Sequence, residues 1–290
     1  MLKKISKFCL SSLMVLALSS CSLAGSWVYE RLDGYIADYF KEFADFTKAQ
    51  NQEIDRVSEE FLDWFSINEL EKVRLLLNNL KTIDIENPEN EIKLAYIEGE
   101  ALFKRINQYF EKPIINFSRG LSEKQINEIA QHFEKIRDER EKERAKDKKE
   151  YKERILDNYI SGFDRIGINL RKDQIDELKL RLSKHQEIRQ EWSDLQQLWI
   201  NEFIQLLSNR NSPDYEKEMT IYLNAFDSLG SDTFRAKIEQ NENLAIDVIS
   251  FVFKSSDDSQ IKGFNRSLDI YLKSIDRILV NRKVNLISLI

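Results

Sequence analysis

The stretch "GLSEKQINEI", residues 120–129, contains the side chains that begin an α-helix. With Ser122 as N-cap, its hydroxyl accepts the backbone N–H of Gln125, and the Gln125 side chain accepts the Ser122 N–H in return. Leu121 and Ile126 flank this capping box at the spacing of a hydrophobic staple. We therefore predict that a helix starts at Ser122.

Three weaker copies of this motif occur elsewhere in the chain. Each keeps a glutamine three residues after the cap position, and the cap and glutamine pairs are Thr47 and Gln50, Arg171 and Gln174, and Asp257 and Gln260. Arginine has no acceptor, so Arg171 cannot form the N-cap bond. The glutamines of the four motifs are 75, 49 and 86 residues apart along the chain, and this unequal spacing excludes a uniform solenoid repeat. The original motif and its three copies therefore predict four separate helix starts.

The composition favours long helices throughout. The chain has 290 residues, of which 32% are charged, and only eight glycines and three prolines. We predict an all-α protein, an elongated multi-helix bundle of long amphipathic helices. The segment from Arg137 to Glu153 is almost wholly charged, which is typical of a solvated helix. It is our candidate for a link between two lobes, residues 26–136 and 155–290, and the alternative is a charged surface for a partner.

The sequence also predicts the bounds of three long helices. A helix is predicted from Glu89 to Phe110, and Pro113 is expected to kink or end it because proline lacks a backbone N–H. Another helix is predicted to run without interruption from "INLRKDQ" to "LLSNR", residues 168–210. A third is expected to continue from Ser122 through the charged segment as far as Gly167.

The N-terminus has the features of a bacterial export signal. Three lysines precede an apolar run at residues 8–18, which is shorter than the roughly 20 residues that cross a bilayer. The following "LSSC", residues 18–21, resembles the lipobox, in which the cysteine receives a thioether-linked lipid and fatty acids such as palmitate. We predict a signal peptide at residues 1–20, cleavage before Cys21, and a lipid anchor on Cys21. The alternative is an ordinary cleavage after Ala24.

The residue after Cys21 and the net charge bear on location and partners. Ser22 stands where inner-membrane lipoproteins typically have aspartate, so the resemblance implies an outer-membrane lipoprotein whose helical domain, residues 21–290, faces the periplasm. Removing the signal takes three of the 44 basic residues and none of the 50 acidic ones, so the formal net charge falls from −6 to −9. This charge opposes binding to nucleic acid or to anionic lipid surfaces.

The aromatic residues allow two interpretations. Helical spacing from Val28 to Phe43 favours packing of an aromatic stripe into the core, while Trp27, Tyr29 and Tyr35 at the lipid headgroups are the alternative. Trp192 and Trp199 share one helical face. They are expected in the core, and a groove for a peptide or hydrophobic ligand is the alternative.

No motif predicts catalysis or a cofactor. His132 and His185, the only histidines, have no His or Cys at metal-ligand spacing, and both are expected to be exposed helical residues. No phosphate-binding glycine loop, nucleophile elbow or HExxH sequence occurs. The abundant acidic pairs are unspecific, so we expect a protein that is not an enzyme and has no catalytic, cofactor-binding or metal-binding residues.

Together, the lipobox, the aromatic first helix and the recurring LTxxQ-like motif resemble an uncharacterised family of proteobacterial lipoproteins, known as a domain of unknown function. The likeness includes "GFDRIGINLRKDQ", "IEQNENLAIDVISFVF" and "SDDSQ". It implies an envelope location and a helical fold. Similar LTxxQ phrases occur in the Spy-like periplasmic chaperones. We therefore expect an envelope lipoprotein with a structural or protein-interaction role, and a chaperone-like binder of unfolded or exported client proteins is the alternative.

Overall fold

The computed structural model describes residues 29, 31–146, 149–225 and 230–288, with side chains as far as residue 281. The predicted signal peptide and Cys21 lie outside these residues. The described part of the chain is all-helical and contains no strand, which confirms the predicted class. Its eleven helices are α1 Leu32–Lys41, α2 Lys48–Asn68, α3 Leu70–Lys81, α4 Glu89–Arg119, α5 Glu123–Lys146, α6 Tyr151–Arg165, α7 Lys172–Leu182, α8 Arg189–Ser208, α9 Tyr215–Asn224, α10 Asp232–Lys254 and α11 Asp258–Ser288.

Three apolar clusters form the core, and helix α4 contributes to all of them. Ile92 lies in the cluster shared with α6, α7, α10 and α11, and Ile106 in the cluster shared with α1, α2, α3 and α11. Ile115 lies in the cluster shared with α1, α2, α5, α8 and α9. These isoleucines span about 35 Å along a helix that rises 1.5 Å per residue. The clusters therefore follow one another along α4, and the bundle is elongated.

The core does not divide at the charged segment. Phe61 packs in the same cluster as Ile275, and Ile126 in the same cluster as Leu207. Residues 26–136 and residues 155–290 thus share each of the core clusters found among the described residues. The charged residues 141–146 at the end of α5 are exposed, as expected for a solvated helix.

The proline at position 113 does not end its helix. Helix α4 continues through Pro113 to Arg119, so the predicted end near Phe110 was too early. Ile115 and Ser118 are buried beyond the proline, and the Ser118 hydroxyl lies 2.6 Å from the Tyr215 hydroxyl of α9. Tertiary packing of this last stretch compensates for the backbone hydrogen bond that proline cannot form.

Two helices that were predicted as continuous are interrupted, and the interruptions contact each other. The backbone is extended at Glu150, between α5 and α6, and residues 183–188 form a non-helical connection between the end of α7 and the start of α8. The Tyr151 hydroxyl donates to the Gln186 carbonyl at 2.9 Å. Asn241 of α10 donates to the same carbonyl and accepts the Gln186 N–H at 2.7 Å. Side chains from other helices therefore take over hydrogen bonds that continuous helices would have made.

Candidate functional site

The first two copies of the capping motif meet in space. Both form the expected capping box: Gln50 N–H donates to Thr47 Oγ1 at 3.3 Å, and Gln125 N–H donates to Ser122 Oγ at 3.2 Å. The two glutamine amides then bind each other, with Gln125 Nε2 donating to Gln50 Oε1 at 2.7 Å and Gln50 Nε2 donating to Gln125 Oε1 at 3.2 Å. We call this pair the N-terminal clasp.

The other two copies form a second clasp with the same bonding pattern. Gln260 Nε2 donates to Gln174 Oε1 at 2.8 Å, and Gln174 Nε2 donates to Gln260 Oε1 at 3.3 Å. Asp257 caps its helix by accepting the Gln260 N–H at 3.0 Å. We call this pair the C-terminal clasp.

Each glutamine also reaches a carbonyl of the opposite motif, always two residues before the opposite cap. The pairs are Gln50 with Gly120 and Gln125 with Asp45 in the N-terminal clasp, and Gln174 with Ser255 and Gln260 with Asn169 in the C-terminal clasp. Each clasp is therefore locally two-fold symmetric. Only an amide can accept a backbone N–H through its oxygen and donate to a carbonyl through its nitrogen, which explains glutamine rather than glutamate at this position.

Arg171 replaces the missing cap with contacts to the opposite motif. Its backbone N–H still donates to Gln174 Oε1 at 2.9 Å. The guanidinium donates to Gln260 Oε1 at 2.8 Å, to the Ser255 carbonyl at 2.9 Å and to Asp257 Oδ2 at 3.1 Å. The arginine that replaces the usual cap residue at position 171 thus links the two halves of the C-terminal clasp.

The clasps lie at opposite ends of α4. Gly120 of the N-terminal clasp directly follows α4, and Glu89 at the start of α4 forms an ion pair with Lys254, next to Ser255 of the C-terminal clasp. The ends of this 31-residue helix are about 45 Å apart. Arg210, which is buried after α8, donates to the Leu121 carbonyl at 2.7 Å. The N-terminal clasp and Arg210 therefore fix the start of α5 against α4 and α8.

A groove of about 370 Å³ opens where α5 leaves this fixed start. Its apolar lining comes from five helices and consists of Tyr39, Phe103, Phe110, Ile114, Phe133, Ile136, Trp199, Ile200 and Leu223. Trp199 stacks on Phe203 at 5.7 Å and on Tyr222 at 4.9 Å between ring centroids, and the Tyr222 hydroxyl donates to the Trp199 carbonyl. The tryptophan ring is thus held in one orientation by its neighbours.

The two rims of the groove are polar and differ in character. Helix α5 supplies Arg137, Arg140, Glu141 and Arg144, while α8 supplies Ser193, Gln196 and Gln197, and α4 supplies Asn107. Arg137 donates to Gln197 Oε1 at 2.9 Å and joins the two rims. Arg144 is exposed and forms no ion pair within the described part of the chain. The groove therefore combines an aromatic floor with a basic rim and an amide-bearing rim.

The structure places the aromatic residues in several environments. Tyr29 is buried, and its hydroxyl lies 2.8 Å from Ser66 Oγ, so the headgroup alternative is wrong for this residue. Tyr35 is exposed, and Trp27 lies outside the described residues. Trp192 stacks on Phe234, whereas Trp199 belongs both to the core and to the groove. The two tryptophans therefore do not form one shared site.

Neither histidine is a fully exposed helical residue, and this corrects the prediction. His132 packs against Phe43 at 4.3 Å between centroids, and His185 lies in the segment between α7 and α8 with Nδ1 2.7 Å from the Tyr151 hydroxyl. Burial lowers the pKa of both imidazoles. Both are half-buried because the neighbouring aromatic rings cover them.

Sequence reasoning missed the groove because its residues were assigned to the core or to a solvated helix. One signal was present: Phe133, Ile136, Arg137, Arg140 and Arg144 follow three- and four-residue steps and so lie on one face of α5. This face changes from apolar to basic along the helix. The other wall depends on α4 and α8, whose positions relative to α5 are set by the tertiary fold.

Comparisons with known proteins found no relative of this chain. No family model, no curated protein and no solved structure matches it. Within the described residues, no cluster of His, Cys, Asp and Glu could hold a metal ion. The described helices also include none that is long and apolar enough to span a bilayer.

Proposed function

We propose that the chain is a lipid-anchored cell-envelope lipoprotein, attached to the outer membrane through Cys21, that acts as a non-enzymatic interaction factor. Its interaction site is the groove between α1, α4, α5, α8 and α9, and its partner is a protein. The groove is the observation that carries this proposal, because it is a concave apolar surface already open to solvent.

The composition of the groove supports binding of a protein. Aromatic residues and arginine are enriched at protein interfaces, and tryptophan and arginine are common among the residues that dominate binding energy. Trp199 is held by stacking, and Arg137 by its bond to Gln197. Side chains that are ordered before binding lose little conformational entropy on association.

Site-specific photo-crosslinking in cells tests the groove. A photoreactive amino acid in place of Gln196 would lie on the groove rim. The same amino acid in place of Gln205, which is exposed on α8 outside the groove, provides the matched control. We expect a discrete crosslinked protein at position 196 that is missing at position 205. Identical products at both positions would refute the groove as the interaction site.

The anchor has its own test. Cells that produce the chain are fed radiolabelled palmitate, and Cys21→Ala is compared with the unchanged protein. We expect label on the unchanged chain only, together with release of the variant from the membrane fraction. Equal membrane association of both proteins would contradict the lipid anchor and would leave the groove experiment unaffected.

A second candidate is the chaperone-like binder of unfolded or exported proteins. The apolar floor of the groove favours it, since holding an unfolded client requires exposed concave apolar surface. A chaperone would suppress aggregation of several unrelated reduced clients, and Ile200→Asp would remove that effect. A dedicated interaction factor would leave client aggregation unchanged.

A further inference from the structure

We infer that the groove binds a short acidic and apolar segment of the partner protein, with an aspartate or glutamate next to aromatic or aliphatic side chains. This inference rests on the proposed function and adds the chemistry of the partner. Three features of the groove support it: the charge of one rim, the amide groups of the other rim, and the size of the floor.

The basic rim reverses the sign of the chain as a whole. The formal net charge is −6, yet three arginines and one glutamate from α5 line the groove. Arg144 is exposed and has no carboxylate partner among the described residues. Guanidinium groups bind carboxylates through two parallel hydrogen bonds. An acidic side chain of the partner would supply the charge that this rim lacks.

The opposite rim distinguishes a peptide from a lipid. The side chains of Ser193 and Gln196 of α8 and of Asn107 of α4 form no hydrogen bond with any described residue. Side-chain amides and hydroxyls pair well with backbone N–H and C=O groups, which recur along every peptide segment. An acyl chain has no such groups and would leave these polar side chains without partners on binding. The two rims together therefore favour a peptide.

The floor limits the length of the segment. The groove as a whole has a volume of about 370 Å³, near the lower end of the range of roughly 300 to 1,000 Å³ for ligand sites. Phe103, Phe133 and Trp199 present ring surfaces that suit aromatic or branched aliphatic side chains. The groove thus fits a few residues rather than an extended unfolded chain.

Binding of synthetic peptides tests this inference directly. The chain is purified as it is isolated from cells, and fluorescein-labelled peptides share one scaffold of Phe and Leu with Asp, Asn or Lys at the polar positions. Fluorescence anisotropy measures the affinity of each peptide. We expect the Asp peptide to bind at least about tenfold more tightly than the Lys peptide, and this difference to shrink as salt is raised.

Two charge reversals on α5 show whether the groove is responsible. Arg144→Glu alters the rim, whereas Lys142→Glu makes the same charge change at an exposed residue that does not line the groove. We expect Arg144→Glu to weaken binding of the Asp peptide about tenfold and Lys142→Glu to change it less than about twofold. Both positions are exposed, so circular dichroism should show that both variants keep their helical content.

The outcomes separate this inference from the proposed function. Equal binding of the Asp, Asn and Lys peptides, lost in Ile200→Asp, would overturn the acidic preference but leave the groove as a protein-binding site. Binding of phosphatidylglycerol vesicles that Arg144→Glu abolishes, with no peptide binding, would overturn the inference in favour of a lipid ligand. Absence of all peptide binding would overturn it as well, whereas the proposed function is decided by the crosslinks at position 196.

Discussion

The N-terminal and C-terminal clasps make the same hydrogen bonds with different residues around them. In the N-terminal clasp the caps are the neutral Thr47 and Ser122, and the preceding apolar residues Phe46 and Leu121 are buried. In the C-terminal clasp the two cap positions are occupied by Arg171, which has no acceptor, and by Asp257, and these two residues form an ion pair. The paired glutamines therefore define the geometry, while the caps vary.

The clasps also differ in how closely the surrounding backbone packs. Gly167 has φ +81, a left-handed conformation that favours glycine, and a Cβ added at Gly263 would lie 2.2 Å from the Gly167 carbonyl oxygen. Gln174 is fully buried, whereas Gln50 is half-buried. We therefore expect the C-terminal clasp to tolerate less change.

Gly263→Ala should produce the largest effect. The added methyl group would push α11 away from the Gly167 turn, and neither backbone can move without disturbing the clasp. We expect the free energy of unfolding to fall by about 3 kcal/mol. Urea denaturation measures it. Gly162→Ala in α6 is the control, because its Cβ would meet no atom within 4 Å and should stabilise the helix by about 0.5 to 1 kcal/mol.

Substitutions of the paired glutamines should have the next largest effects on stability, and the effect should be larger at Gln174 than at Gln50. Gln174→Ala leaves the Arg171 N–H and part of the Gln260 amide unsatisfied in a buried site. It should therefore lower the free energy of unfolding by about 2 kcal/mol, against about 1 kcal/mol for the half-buried Gln50→Ala. Denaturation of these two variants, of Gln125→Ala and Gln260→Ala, and of the double mutant of each pair gives the coupling energy between the two amides. Equal losses in the two clasps would contradict the difference in burial.

Arg171→Ser should separate local capping from contacts across the clasp. Serine gains the N-cap bond but loses the guanidinium contacts to Ser255, Asp257 and Gln260. We expect a lower melting temperature in low salt, and a smaller difference in high salt, because exposed ion pairs are screened. The matched Ser122→Thr change, which keeps a hydroxyl cap, should have little effect at either salt concentration. A stabilised Arg171→Ser protein would show that capping outweighs the contacts across the clasp.

Lowering the pH should reduce the stabilising contribution of the C-terminal clasp more than that of the N-terminal clasp. This is the smallest of the predicted changes in stability. The backbone N–H of Gln260, together with the Ser259 N–H and Arg171, holds the pKa of the Asp257 carboxyl below its usual range. A carboxyl whose pKa is lower in the folded state stabilises the fold above its unfolded pKa of about 3.9, and this contribution is lost as pH falls through the lower folded value.

Thermal melts between neutral and acidic pH measure this effect. The difference between the unchanged chain and Asp257→Ser should be present near neutral pH and disappear in acid. Ser122→Ala removes a neutral cap and provides the comparison, because its difference from the unchanged chain should depend much less on pH. The same pH dependence for both variants would show that the Asp257 charge is not responsible.

Much of the helical layout follows from local chemistry. The motif at residues 120–129 correctly predicted the capping box of Ser122 and Gln125, and the copies at Thr47 and Asp257 correctly predicted two more. These bonds join residues three apart, so short-range sequence contains the information. The interruption at residues 183–188 could not be predicted in this way, because Tyr151 and Asn241 stabilise it from distant parts of the chain.

The sequence by itself determined the helical class and four helix starts, because caps and apolar periodicity act within one or two turns. It also contained the lipobox-like "LSSC" on which the prediction for Cys21 rests. Only the tertiary structure decided that Gln50 pairs with Gln125 and Gln174 with Gln260, since those bonds close loops of 75 and 86 residues. The groove was decided in the same way, because its floor combines side chains from five helices that meet only after the core has packed.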